Sequence, residues 1–239
     1  MRAWAAFAGV LLLASAFVLA HYGRRFTSKI KRRWQSLSAG VAVAYVFVQA
    51  IPELEEHRPI LAGSAMGALL VAEKQIYLWA LAGFVTFAGL TRLRSEARPH
   101  GGRSGSLALV YWGEMAGYAI YMLLIGYLLL HREDASLRSL WLYVFAMGLH
   151  IFMLDTELAA QFHGVYETGG RVVLVACLLL GSVLGVTDVL PASLTSSLVA
   201  FVIGGVVISS AHEELPAEGG RFWWFFGGAA FYATLLMLI

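Results

Sequence analysis

Charge is scarce in this chain. Only 13% of its 239 residues are Asp, Glu, Lys or Arg, where a soluble domain carries roughly a quarter. Cysteine is scarcer still: Cys177 stands alone, which excludes an intrachain disulfide and a cysteine-based zinc or iron–sulfur site. No stretch is polar enough for a soluble domain, and no glycine-rich loop suited to nucleotide phosphates is present. The lysines and arginines fall in links between apolar stretches, which argues against a nucleic-acid-binding face. What fills the chain is apolar, 59% hydrophobic with a mean hydropathy of +0.73. These numbers predict an all-α, polytopic membrane protein whose first partner is the lipid bilayer.

Eight apolar segments are expected: roughly Trp4–Ala20, Leu37–Ile51, Ile76–Leu90, Leu107–Leu130, Leu140–Phe162, Val172–Thr187, Ala192–Ser210 and Phe222–Ile239. The first has marks of a signal peptide, with Arg2 ahead of an apolar stretch ending in small residues, but its basic cluster follows it, so a retained span with an external N-terminus is the better reading. The distribution of positive charge sets the orientation. Arg24, Arg25, Lys29, Lys31, Arg32 and Arg33 lie in the first link. Arg92, Arg94, Arg98 and Arg103 lie in the third, with Arg171 and Arg221 in the fifth and seventh. These are twelve of the 17 Lys and Arg residues; Arg2, Arg58, Lys74, Arg132 and Arg138 are left for the other side. Both termini are therefore expected outside, and the link 92–106 inside the cell.

The second segment, Ser36–Glu56, organises the rest. It carries Ser38, Ala39, Gly40, Ala42 and Ala44, small residues that let another helix approach closely, one amide at Gln49, and Pro52 among Glu53, Glu55 and Glu56 at its end. A related ending recurs at Ser210–Glu218, with Glu213, Glu214, Pro216 and Glu218. The other three prolines, Pro59, Pro99 and Pro191, are expected in links. With eight spans, the second and seventh run in opposite directions, so the echo, unless both are ordinary helix ends decorated with Glu and Pro, predicts a 3+2+3 layout in one transmembrane domain spanning residues 1–239. A first repeat would cover residues 1–91, a central helix pair 107–163 and an inverted second repeat 172–239. Inverted repeats are common in secondary transporters.

Here the sequence resembles the ZIP (Zrt/Irt-like) family of divalent-metal transporters. SAGVAVAYVFVQAIPEL is similar to the family's second helix, with Gln49 where a histidine would stand and Pro52–Glu53 matching. FVIGGVVISSAHEELPAEGG and the Phe- and Gly-rich last segment resemble its seventh and eighth. The resemblance implies eight helices in a 3+2+3 ZIP-like bundle, with a metal site on the fourth and fifth. The fourth segment has no histidine and one carboxylate, Glu114. On the fifth, aligning His150 with the family's first histidine brings Asp155 onto its final glutamate, while Ile151 and Leu154 occupy other ligand positions. The implied site is therefore reduced, not binuclear.

The fifth segment is still unusually polar, with His150, Asp155, Glu157, Gln161 and His163. At about 100° per residue, His150, Glu157 and Gln161 share one face, and Asp155 points away by about 140°. Glu114, Tyr118 and Tyr121 share a face by the same rule. A charged group at mid-membrane costs about 3 kcal/mol on insertion scales, so these groups are expected to face the bundle interior. The candidate metal ligands are His150, Glu157, Asp155 and Glu114. Gln49, Tyr118, Gln161 and Glu213 are expected along a solute pathway. Each has a structural alternative: an interhelical hydrogen bond for the deep residues, plain solvation for Glu213 at its helix end.

The expected function is a ZIP-like transporter of a divalent metal cation, Zn2+ or another, or of another small solute. No resident cofactor is required. The alternative is a non-transporting membrane subunit or scaffold that keeps the fold without binding metal. An enzyme is not expected. Haem would need two facing histidines at matched depth, and only His150 is deep; a zinc hydrolase needs about three ligands. Gly204–Gly205 and Gly227–Gly228 permit close packing within one chain or between two, leaving a homodimer or a membrane-complex partner open. The location expected is a bacterial inner (plasma) membrane.

Overall fold

A computed structural model describes residues 2–23, 28–62, 74–97, 104–130, 136–162, 164–187, 190–209 and 222–238, and all regular structure among them is helical. α1 spans Arg2–Gly23. α2 is one continuous run made of Ser28–Tyr45, a π-helical turn Val46–Ala50, and Ile51–Ala62. α3 covers Gln75–Ala97, α4 Ser104–Leu128 and α5 Leu137–Gln161. α6 begins with a π-helical turn, Tyr166–Gly170, and continues as Arg171–Val186. α7 is Ala192–Ser209 and α8 Phe222–Met237. A span needs about 20 apolar residues. Trp4–Tyr22, Arg33–Ile60, Leu137–Gln161 and Tyr166–Val186 are long and apolar enough, and Gln75–Leu90, Ala192–Ile208 and Phe222–Met237 are shorter apolar helices.

Two proline expectations need correction. α2 does not close at Pro52 but runs on to Ala62, with Pro59 inside the helix. The physical reason for the first is the π turn. Proline lacks an N–H and crowds the carbonyl four residues back. Just before Pro52 the ladder has already shifted, with the Ile51 N–H bonded to the Val46 carbonyl five residues earlier. The proline falls at a seam where the regular bonding pattern is interrupted anyway. The Ser210–Glu218 echo, including Glu213 and Pro216, lies outside the described residues, as does His163.

The helices pack mainly as four pairs: α1 with α5, α2 with α8, α3 with α7, and α4 with α6. In three of them a glycine from each partner lies against the other's backbone. Gly40 meets Phe225 and Gly228 meets Leu37; Gly83 meets Phe201 and Gly204 meets Ala80; Gly126 meets Leu178 and Gly181 meets Leu123. Gly204 and Gly228 are thus used within the chain. The α1–α5 pair is looser, with Gly9 facing Val144 and Gly148 facing Leu13 through side chains. Lesser contacts gather the pairs into two groups. α1, α4, α5 and α6 form one, joined by α1–α6; α2, α3, α7 and α8 form the other, joined by α2–α7 and α2–α3. Between the groups run α2–α5, α3–α4 and α4–α7.

Backbone-to-backbone approach of this kind leaves no room for a methyl group. Gly181→Ala is expected to lower stability by about 1–3 kcal/mol, the usual range for overpacking, because its Cβ would strike the Leu123 backbone. Gly113→Ala, where nothing lies within 4 Å, is expected to be neutral or mildly stabilising. Thermal unfolding of the two variants in detergent measures the contrast.

Candidate functional site

α5 and α4 carry the interior polar groups, and two contacts fix how they align. The Tyr121 hydroxyl stands 3.5 Å from His150 Nε2, and the Tyr111 ring packs edge-on against Phe162 with centroids 4.9 Å apart. Position rises along one helix as it falls along the other, so α4 and α5 run antiparallel. Counting from the Tyr121–His150 rung, Glu114 and Glu157 are each seven residues further toward the Tyr111–Phe162 end. That is about 10 Å along each axis at nearly unchanged azimuth. The two glutamates therefore occupy one level, between the two rungs. Glu114 is buried and Glu157 half-buried.

Two levels result. The deeper one holds Tyr121 and His150, both buried, with Phe87 of α3 against Tyr121 at 5.1 Å and against Tyr118 at 5.9 Å between ring centroids. The other holds Glu114 and Glu157, with Gln161 one turn beyond. Gln161 is half-buried, and its Oε1 has no hydrogen-bond partner among the described residues. Tyr118 lies between the levels on α4. Gln49 sits in the π turn of α2, half-buried. Among the described residues, no group of three or more His, Cys, Asp or Glu side chains is placed to hold a metal ion.

Asp155 has a different setting. It is fully buried and accepts from Arg171 Nε and Nη2 at 2.8 Å each, one bond to each carboxylate oxygen. The Tyr166 hydroxyl adds a third bond at 2.6 Å. Arg171 also lies over the Tyr166 ring, 5.6 Å from its centroid, and its Nη1 is 3.4 Å from His21 Nδ1 on α1. A planar guanidinium matched to a carboxylate in this way is both strong and directional. The local chain makes it possible. α5 ends at Phe162, Gly164 takes φ +79°, and the π turn carries Tyr166 and Arg171 back beneath Asp155. The cluster ties α1, α5 and α6 together at one end of the bundle.

Sequence reasoning counted Arg171 only as a topological charge and passed over Tyr166. A signal was there: an acid in the last turns of one apolar segment and a lone arginine opening the next, across a short link, are candidates to pair. His57 was also passed over. It is buried near the end of α2, with Nδ1 3.0 Å from the Ser196 hydroxyl of α7. A groove of about 380 Å³ between α1 and α5 is lined by apolar side chains including Leu12, Leu19, Phe145 and Phe152. It lies on another face of α5 from His150 and Glu157, and so is not part of the polar levels.

No family model and no curated protein matches the sequence. The chemistry must therefore be read from the arrangement itself. The glutamate level offers carboxylate oxygens that suit a cation, and the Tyr121–His150 level can donate or accept a hydrogen bond.

Removing one member of a buried ion pair strands the other and typically costs 3–5 kcal/mol. Arg171→Ala and Asp155→Ala are each expected to show a loss of about that size in unfolding experiments. Arg58→Ala is the control. Its partner Glu55 lies 3.5 Å away with both side chains about half exposed, 48% and 47%, and pairs of that kind contribute little.

Proposed function

We propose that the protein is an integral membrane transporter of ZIP-like 3+2+3 architecture, moving a divalent metal cation or another small solute through a reduced site. The contact pattern carries this reading. Exchanging helices 1–3 with 6–8 and α4 with α5 converts the α1–α5 pair into α6–α4, α2–α8 into α7–α3, and α2–α5 into α7–α4. It leaves α1–α6 and α2–α7 as they are. All of these contacts occur, and they support two inverted repeats flanking a central pair. Eight crossings would also make partners within each main pair parallel, since each pair joins helices an even number of steps apart. The facing of Gly9 with Val144 and of Gly148 with Leu13 agrees with that.

The solute site in this reading is the level of Glu114 and Glu157, with Gln161 beside it and His150 one step deeper along the pathway. Two carboxylates at one depth are expensive to insert, and a shared proton or a bound cation offsets that cost. Asp155 is assigned a positioning role through Arg171 and Tyr166. Transport would proceed by an elevator or rocking motion of α1, α4, α5 and α6 against α2, α3, α7 and α8. These groups share fewer contacts with each other than they hold within.

A second reading, a membrane scaffold without metal binding, is favoured by Ile151 and Leu154 at ligand positions and by the engagement of both Asp155 oxygens. Titration calorimetry with Zn2+ and Cd2+ separates the two. Saturable binding by the wild type, lost or weakened at least tenfold in Glu114→Gln and Glu157→Gln, supports the transporter. It should weaken on acidification, because only the deprotonated ligands bind metal. No saturable binding, or equal binding by both variants, leaves the scaffold reading in its place.

Orientation has its own test. A cysteine placed at Glu56 should be labelled from outside intact cells by an impermeant thiol reagent, and one placed at Ser104 should be spared. The reverse pattern would overturn an external N-terminus.

A further inference from the structure

The first 52 residues contain no aspartate or glutamate; the first acid is Glu53. Six basic residues fall between Arg24 and Arg33, and four of them, Lys29, Lys31, Arg32 and Arg33, belong to the opening turns of α2. The apolar part of α2 begins only at Arg33, so the helix extends past its membrane-crossing stretch by more than one turn of basic sequence. α8 starts beside it and opens with Phe222, Trp223 and Trp224. Arg33 lies over the Trp224 ring, 5.5 Å from its centroid. Trp34, Phe222, Trp223 and Trp224 are all exposed, and Trp223 and Phe222 meet edge to face at 5.7 Å.

We propose that this end of the α2–α8 pair is a binding surface for anionic phospholipid headgroups. Charge and aromatic side chains here are complementary to a membrane interface. Exposed tryptophans beside an apolar span settle at headgroup depth, with rings in the acyl boundary and polar edges toward water. A run of basic residues in the sequence immediately beyond an apolar span attracts anionic lipids. Orientation alone needs only an excess of Lys and Arg in the link. It does not need an arginine stacked on a tryptophan of a second helix. The Arg33–Trp224 contact holds a guanidinium at the level of the ring, where its remaining N–H donors can meet a phosphodiester in a planar, two-pronged fashion. The surface uses none of the residues of the Glu114–Glu157 level, and the proposal stands whether or not the protein carries a solute.

The experiment uses the full chain with Trp4, Trp34, Trp79, Trp112 and Trp141 replaced by Phe, so that fluorescence reports Trp223 and Trp224. The protein is reconstituted in phosphatidylcholine vesicles, and quenching by brominated phosphatidylglycerol is compared with quenching by brominated phosphatidylcholine. Several-fold preference for the anionic lipid is expected at low ionic strength, and it should collapse in 0.5 M salt. Lys29→Gln, Arg32→Gln and Arg33→Gln should each lower the preference, by up to about fivefold per charge, the contribution of one basic side chain at an anionic surface. Arg58→Gln should leave it unchanged. Soluble glycerol phosphate at millimolar concentration should not compete, which distinguishes a lipid from a free phosphate. Equal quenching by both lipids overturns the proposal, as does a preference that survives high salt. If the charge variants fail to reconstitute, the salt titration of the parent chain still decides.

Discussion

Apolar helices surrounded by lipid gain little by hiding apolar surface from one another, because the lipid tails are as apolar as leucine. What holds them is close contact, dense enough that dispersion between backbones outweighs contact with lipid. The fold of this chain depends on that constraint. Gly40 with Gly228, Gly83 with Gly204, and Gly126 with Gly181 let three pairs of helices touch backbone to backbone. The α1–α5 pair lacks that approach, and the end of α1 is instead tied in through His21 and Arg171.

The buried ion pair supplies what packing does not, namely direction. Asp155 and Arg171 meet with fork-to-fork geometry, and the Tyr166 hydroxyl donates a further bond to Oδ1. That arrangement sets the rotation of α5 about its axis, because Asp155 must face α6. With Asp155 so held, the opposite face of α5 is fixed too, and it carries His150, Glu157 and Gln161 toward α4. The Asp155 ion pair thereby determines where the polar groups of the Glu114–Glu157 level point.

Much of this architecture was legible from periodicity. Eight apolar segments became helices close to their expected places, and the small residues of Ser38–Ala44 did mark a close helix contact at Gly40. The shared face of His150, Glu157 and Gln161 followed from a spacing of seven and four residues. Other features were invisible for physical reasons. A π turn leaves no compositional trace, so Pro52 read as a terminator where the shifted ladder lets the helix pass. The pairing of Asp155 with Arg171 depends on how the link at Gly164 folds back, and helical periodicity stops at that link. The matched level of Glu114 and Glu157 required a register between α4 and α5, which only the two aromatic rungs provide. Gln161 and Gln49 were placed on helices correctly, but their depth and degree of burial were not readable from sequence.

The distribution of polar groups bears on how such a bundle could work. Among the described residues, Glu114, His150, Asp155, Glu157 and Arg171 all belong to the group formed by α1, α4, α5 and α6. The other group, α2, α3, α7 and α8, contributes apolar and small side chains opposite them, such as Phe87 against Tyr118 and Tyr121. Its own buried histidine contact, His57 with Ser196, joins two of its members to each other near their ends. A bound charge would therefore be held almost wholly by one group and shielded by the other. If the first group slid against the second, the site would travel intact with its ligands and with the Asp155–Arg171 clamp that orients them. The Tyr232 hydroxyl of α8, which donates to the Leu142 carbonyl of α5 at 2.8 Å, is a polar contact across the boundary that such a slide would break. On the proposed transport reading, gathering Glu114, His150 and Glu157 in one group would let a charged solute keep its partners while that group moves.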